Sequence, residues 1–162
     1  FQKSPKGEEK SFDIEGFKFE VMGEREMLER FWTIVKEYDT FVTFNGRGFD
    51  VPFLMIRSAL HGIRPSKNLL ANRYLSHHPA SARHVDLLDQ LSFYGARRRK
   101  GRLHLWCRAF GIESPKSHGV DGDDVKGLFE KGKNDVVAKY NARDLIATAE
   151  LYQRYLDYLQ FN

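Results

Sequence analysis

Residues 40–54, TFVTFNGRGFDVPFL, decide how this chain is read. Phe41, Val42 and Phe44 are aromatic or β-branched and predict a short buried strand, while Asn45-Gly46-Arg47-Gly48 is turn chemistry. Pro52 then falls in the first turn of a helix, where its missing N–H costs nothing. Asp50 therefore stands where a strand passes into a helix, at the end of the helix dipole that favours negative charge. Taken alone, it reads as an N-cap aspartate.

Working outward, strands alternate with helices. The pattern predicts a hairpin over about 1–22, helix 24–38, strand 40–44, helix 50–61, a short helix at 67–74 and strand 84–88. Helices follow at 102–110, stopped by Gly111, at 122–131, and at 134–159, begun by Asn134. That alternation means an α/β architecture. In the last helix Val137, Tyr140, Asp144, Thr148, Leu151 and Tyr155 recur at helical spacing, so Asp144 sits within a largely apolar stripe and is expected to be buried. An unpaired buried carboxylate costs several kcal/mol, so Asp144 requires a cation, a metal ion or a hydrogen-bond cluster. A structural aspartate bonded to backbone or arginine is the plain alternative. Tyr140 lies one turn earlier on the same face.

Two convergent carboxylates, one from a strand-to-helix junction and one from a late helix, suit a hard divalent cation such as Mg²⁺. The six histidines show no zinc-type spacing, His77-His78 reads as a solvated loop, and a lone Cys107 cannot build a thiolate site. Asp86, at the end of the 84–88 strand, reads as a structural acid, and Asp121, Asp123 and Asp124 read as capping charge for the helix that follows.

FNGRGFDVPFL (residues 44–54) resembles the second acidic motif of the DEDD 3′–5′ exonuclease superfamily, and Tyr140-x-x-x-Asp144 resembles the third motif of its tyrosine-bearing branch. The likeness is to predicted 3′–5′ exonucleases related to the proofreading domain of family-B DNA polymerases. It extends through HVDLLDQLSFYG (84–95), GRLHLWCRAFGIESPK (101–116) and GVDGDDVKGLF (119–129). The resemblance implies a ribonuclease H-like mixed sheet flanked by helices, and hydrolysis at the 3′ end of single-stranded nucleic acid, DNA before RNA, with two Mg²⁺ or Mn²⁺ ions in the complete site. It implies Asp50 and Asp144 as metal ligands and Tyr140 as the group that orients the attacking water. Asn45 would lie beside the terminal nucleotide by hydrogen bonding, and Phe49 by packing under the turn. A nucleic-acid-binding module of the same fold without catalysis is the alternative. A dinucleotide fingerprint at Gly46-Arg47-Gly48 fails for want of a third glycine.

The front of the chain departs from that family. Ser11-Phe12-Asp13-Ile14-Glu15 imitates the first motif, Asp-x-Glu, but only one strand's length separates Glu15 from the helix at 24, and the fold needs two. Residues 10–22 are therefore expected to be a later strand of a hairpin, with Asp13 and Glu15 a coincidental match. On this reading 1–162 is a single exonuclease-like domain that lacks its first strand, consistent with a start at Phe1 after which Ser4-Pro5-Lys6-Gly7 forms a turn. By itself it would cleave weakly or not at all.

Composition agrees with one globular domain: 162 residues, 41% hydrophobic and 14% aromatic, with no apolar run of membrane length. A single cysteine fits a reducing cytosol, hence a cytoplasmic protein. The net charge is +4, and Arg97-Arg98-Arg99-Lys100-Gly101-Arg102 concentrates it, so Arg97, Arg98 and Arg99 are candidate phosphate contacts. Whether a polymerase partner exists stays open.

Overall fold

The computed structural model describes residues 11–14, 16–98, 101–114 and 125–160. Glu15, Arg99, the early turn at 4–7 and the acidic cluster at 121–124 lie outside them. Strand β1 (Ser11–Ile14) turns back at Gly16, whose φ of +81° only glycine adopts at low cost, into β2 (Phe17–Glu20). The two pair antiparallel, with Asp13 opposite Lys18. Residues 10–22 are thus not one strand but hold a complete hairpin. Apolar residues alternate at 12 and 14 and again at 17 and 19, so the phase shifts by one residue at Gly16, where the turn falls.

Helix α1 (Glu24–Val35) buries Leu28, Trp32 and Val35. Strand β3 (Thr40–Thr43) follows, then helix α2 (Asp50–Leu60), which crosses over to strand β4 (Arg83–Asp86), parallel to β3 with Thr43 opposite Asp86. The described strands form two two-stranded sheets, the antiparallel hairpin and this parallel pair, rather than one mixed sheet. No helix forms at 67–74, where turns lead to a 3₁₀ turn at Leu75–His77.

The strand expected over 84–88 ends at Asp86. Its carboxylate accepts the N–H of Leu88 and caps α3 (Leu87–Leu91), so Leu87 and Leu88 reach the core from a helix. Five residues are too few for helical periodicity to show in sequence. Helices α4 (Leu103–Ala109), α5 (Val125–Glu130) and α6 (Asn134–Tyr158) complete the order.

Two apolar clusters hold these elements. Val85, Leu87, Leu91, Cys107, Ile112, Ala147, Leu151 and Tyr155 join β4, α3, α4 and α6, and the Cys107 thiol is fully enclosed among them. Trp32, Val35, Val51 and Leu69 join α1, α2 and the loop after α2. Trp32 places its indole N–H on Ser58 Oγ at 2.7 Å, which satisfies both buried polar groups. Among the described residues, no helix is long and apolar enough to cross a membrane.

Candidate active site

The turn between β3 and α2 is held from below by side chains of β4. Asn45 takes the left-handed conformation, φ +64°, tolerated by asparagine better than by most residues. Beneath the turn the Asp86 carboxylate, 3% exposed, accepts the Asn45 N–H at Oδ1 and the Arg47 N–H at Oδ2, both at 2.9 Å, besides its bond to Leu88. A buried carboxylate with three backbone donors is satisfied without a counter-ion. Arg47 adds an ion pair to Asp89 at 3.5 Å. Gly46 lies so close to Thr43 that a Cβ on it would come within 2.3 Å of Thr43 Oγ1.

His84 supports the same turn from below. It is 1% exposed, with Nδ1 2.9 Å from the Leu69 carbonyl oxygen and Nε2 2.8 Å from Thr43 Oγ1. A carbonyl only accepts, so Nδ1 carries a proton, and in the neutral ring Nε2 accepts from the Thr43 hydroxyl. Burial pushes its pKa below the usual histidine value. His78, expected as a solvated loop residue, is half-buried, and its Nδ1 accepts the His84 N–H at 3.0 Å.

Asp50 is not the N-cap. Phe49 occupies that position and Asp50 is the first helical residue, with no side-chain capping bond at this helix end. Its carboxyl lines a cleft of about 580 Å³ together with Tyr140 and Asp144 of α6. Although Asp50 is solvent-accessible, the cleft wall partly desolvates the carboxyl and raises its pKa. The buried negative charge of Asp86 adds to that shift. Asp144 is half-buried rather than buried, because the α6 stripe divides: Val137, Tyr140, Asp144 and Thr148 face the cleft, whereas Leu151 and Tyr155 enter the core.

The other predicted positions lie elsewhere. Asn45 is exposed and does not line the cleft. Phe49 does not pack under the turn: its ring is 65% exposed, because Val51 takes the inward position at the start of α2. Arg97 and Arg98 are exposed and outside the cleft, with the Arg97 guanidinium over the Trp106 ring at 4.7 Å. Among the described residues of that basic run, Arg102 lines the cleft, beside His104 at the start of α4. Asp13 is exposed and lines no part of it. Arg102, His104 and Asn141 were not singled out from sequence, though Asn141, next to Tyr140, could have been found by extending the helical face.

The donor set is chemically that of a hard cation: two carboxylates with hydroxyl neighbours. Among the described residues, no group of three or more His, Cys, Asp or Glu could hold a metal ion. Among the described residues, the cleft therefore offers a hard divalent cation two carboxylates, Asp50 and Asp144, which would hold it, fewer ligands than a two-ion centre takes.

Known proteins give this geometry a family. A family profile described as a predicted 3′–5′ exonuclease related to the exonuclease domain of PolB matches residues 4–160. The chain is similar to a DNA polymerase of Pyrococcus glycovorans, 29% identical over 140 residues, which is 81% of this chain and 18% of that polymerase. It is also similar to DNA polymerases of Thermococcus litoralis, 46% identical over 46 residues, and Methanocaldococcus jannaschii, 40% over 43. Those shorter matches cover 27% and 26% of this chain and 3% of each polymerase. The chain thus spans less than a fifth of the length of these relatives. With its profile matched from residue 4 to residue 160, the chain belongs to the family of predicted 3′–5′ exonucleases related to the exonuclease domain of PolB.

Proposed function

We propose that this chain is the exonuclease domain of a metal-dependent 3′–5′ exonuclease, ribonuclease H-like in fold, which removes nucleotides from the 3′ end of single-stranded DNA. The observation that carries the reading is the meeting of Asp50, from the start of α2, with Tyr140 and Asp144, from α6, on one cleft. Asp50 and Asp144 would hold Mg²⁺ or Mn²⁺, which in such a site supplies positive charge to the developing oxyanion and acidifies water.

The residues of the chain have separable tasks. Tyr140, on the same cleft, would orient the attacking water with its hydroxyl. Arg102 at the cleft wall offers fixed positive charge to a phosphate, and Arg97, Arg98 and Arg99 add diffuse attraction for the strand. Asn45 can hydrogen-bond the terminal nucleotide from the turn. Asp86 and His84 touch no substrate and hold that turn in register.

The test is digestion of a 5′-labelled single strand by the chain with Mg²⁺ or Mn²⁺. A ladder shortening from the 3′ end, lost in Asp50→Asn and Asp144→Asn and reduced about 10²–10⁴-fold in Tyr140→Phe, is the expected result. The shortage of metal-binding groups among the described residues favours one other reading, a nucleic-acid-binding module without catalysis. Metal-independent DNA binding with no cleavage would establish that instead.

A further inference from the structure

The basic run at 97–102 is fastened to helix α4 at both of its described ends, and by one side chain. Arg97 lays its guanidinium over the Trp106 ring, 4.7 Å from the centroid. Its backbone N–H donates to the carbonyl of the buried Ser92 at 3.1 Å, so Arg97 leaves the core at a fixed point. At the far end Gly101 is buried, and a Cβ there would lie 2.8 Å from Leu105 Cδ2 and 3.0 Å from Trp106 Nε1. Arg102 follows as the N-cap of α4, its carbonyl accepting the N–H of Leu105 at 2.9 Å and that of Trp106 at 3.3 Å. Trp106 therefore meets the run where it begins, and again one residue before the arginine that lines the cleft.

The indole is held by its faces. Among the described residues its N–H is buried and meets no acceptor, so no hydrogen bond fixes the angle of the ring. That task falls to Arg97 and to the Phe110 ring, which lies 6.2 Å away and is tilted by 24°. A guanidinium is planar, so it stacks by shape as well as by charge, and lysine cannot replace it there. Resting on the exonuclease reading above, we infer that Arg97 is a positioning residue: it presses Trp106 against Gly101 and so seats Arg102 on the cleft wall, where Arg102 meets a phosphate of the strand. Gly101 admits the indole because it has no side chain, so a movement of the ring passes directly to the residue that follows. Arg97 and Arg98 look alike in sequence and are both exposed, yet they differ in task.

Two substitutions separate shape from charge. Arg97→Lys keeps the charge and loses the plane, whereas Arg97→Phe keeps a plane that can stack on the indole and loses the charge. Binding of fluorescein-labelled oligothymidylate is followed by anisotropy with the full chain in EDTA, so that no cleavage intervenes. Arg102→Ala is expected to weaken binding about 10-fold and Arg97→Lys nearly as much, with little further loss in the double variant. Arg97→Phe, which forfeits only diffuse attraction, is expected to cost about threefold. The clamp also has a readout that needs no DNA. The chain holds two tryptophans, and Trp32 donates its indole N–H to Ser58 in the other apolar cluster. Hydrogen exchange of the Trp106 indole should quicken in Arg97→Lys more than in Arg97→Phe, with Trp32 unchanged as the control. Tighter binding by the lysine variant than by the phenylalanine variant would overturn the clamp, by making Arg97 a phosphate contact. So would losses that multiply in the double variant, or an indole exchange that neither substitution moves. Each of these leaves the exonuclease reading intact, and a wild-type chain that binds no single strand would overturn both.

Discussion

Asp50 and His84 each sit in surroundings that disfavour their charged form, with opposite consequences for pH. Partial desolvation and the negative Asp86 raise Asp50 from its ordinary 3.8. Between that value and the raised one the folded chain holds more protons than the unfolded chain, so stability falls as pH rises through that window and stays lower above it. Asp50→Asn removes the charge, and metal-free melts at pH 7 should show a melting temperature equal to or above that of the parent. A clear drop would mean that Asp50 is a structural partner and no metal ligand. His84 runs the other way. Its pKa is depressed below 6.5, mainly by burial, so the unfolded chain takes up the proton first. The stability conferred by the neutral ring is complete above pH 6.5 and is lost as pH falls from there toward the depressed value. His84→Asn, which can still donate to the Leu69 carbonyl, should melt lower than the parent at pH 8 but lose less between pH 6.5 and 5. Parallel pH profiles would refute that assignment.

The turn between β3 and α2 depends on an absence of side chain. At Gly46 a Cβ would meet Thr43 Oγ1 at 2.3 Å and Thr43 Cβ at 2.6 Å. Gly46→Ala should therefore destabilise by about 1–3 kcal/mol in urea melts. Thr43→Ala should not rescue it, since the Cβ contact remains; recovery in the double variant would show that the strain lies in the hydroxyl alone. Much of this element was legible in sequence, because an aromatic strand, a glycine turn and a proline in the first helical turn each leave a local mark. The close of β4 was not. Asp86 both ends a strand and caps a helix, and Leu87-Leu88 suits either element, so only the capping bond distinguishes them. The hairpin at 11–20 was missed although its turn leaves a mark: at Gly16 the apolar alternation shifts phase, from 12 and 14 to 17 and 19, and each half is too short to stand out.

On the scale of the whole molecule, the cleft is a long-range product. Asp50, Tyr140 and Asp144 could be picked out beforehand, because a carboxylate beside a glycine turn and another in an apolar helical stripe are locally anomalous. Arg102 could not be told from its neighbours, since all belong to one basic run and only the packing of α4 decides which of them meets the cleft. The His84 network was invisible for the same reason, as its partners Thr43 and Leu69 come from other segments.

The enclosed thiol of Cys107 gives this fold a reporter of its own. Burial first, and the charges of Glu150 and Asp144 after it, push its pKa up to about 11, so near neutrality the sulfur is both out of reach and unreactive. A disulfide dye can modify it only when the packing of β4, α3, α4 and α6 comes apart. The labelling rate, divided by that of the unfolded chain, then measures how often this half of the molecule opens under native conditions. Modification as fast as in the unfolded chain would show that the α4–α6 contact is not maintained in solution. If labelling is slow, the same clock can be read again with Mg²⁺ and a single strand present, and slower modification would report ligand binding through the core rather than at the cleft.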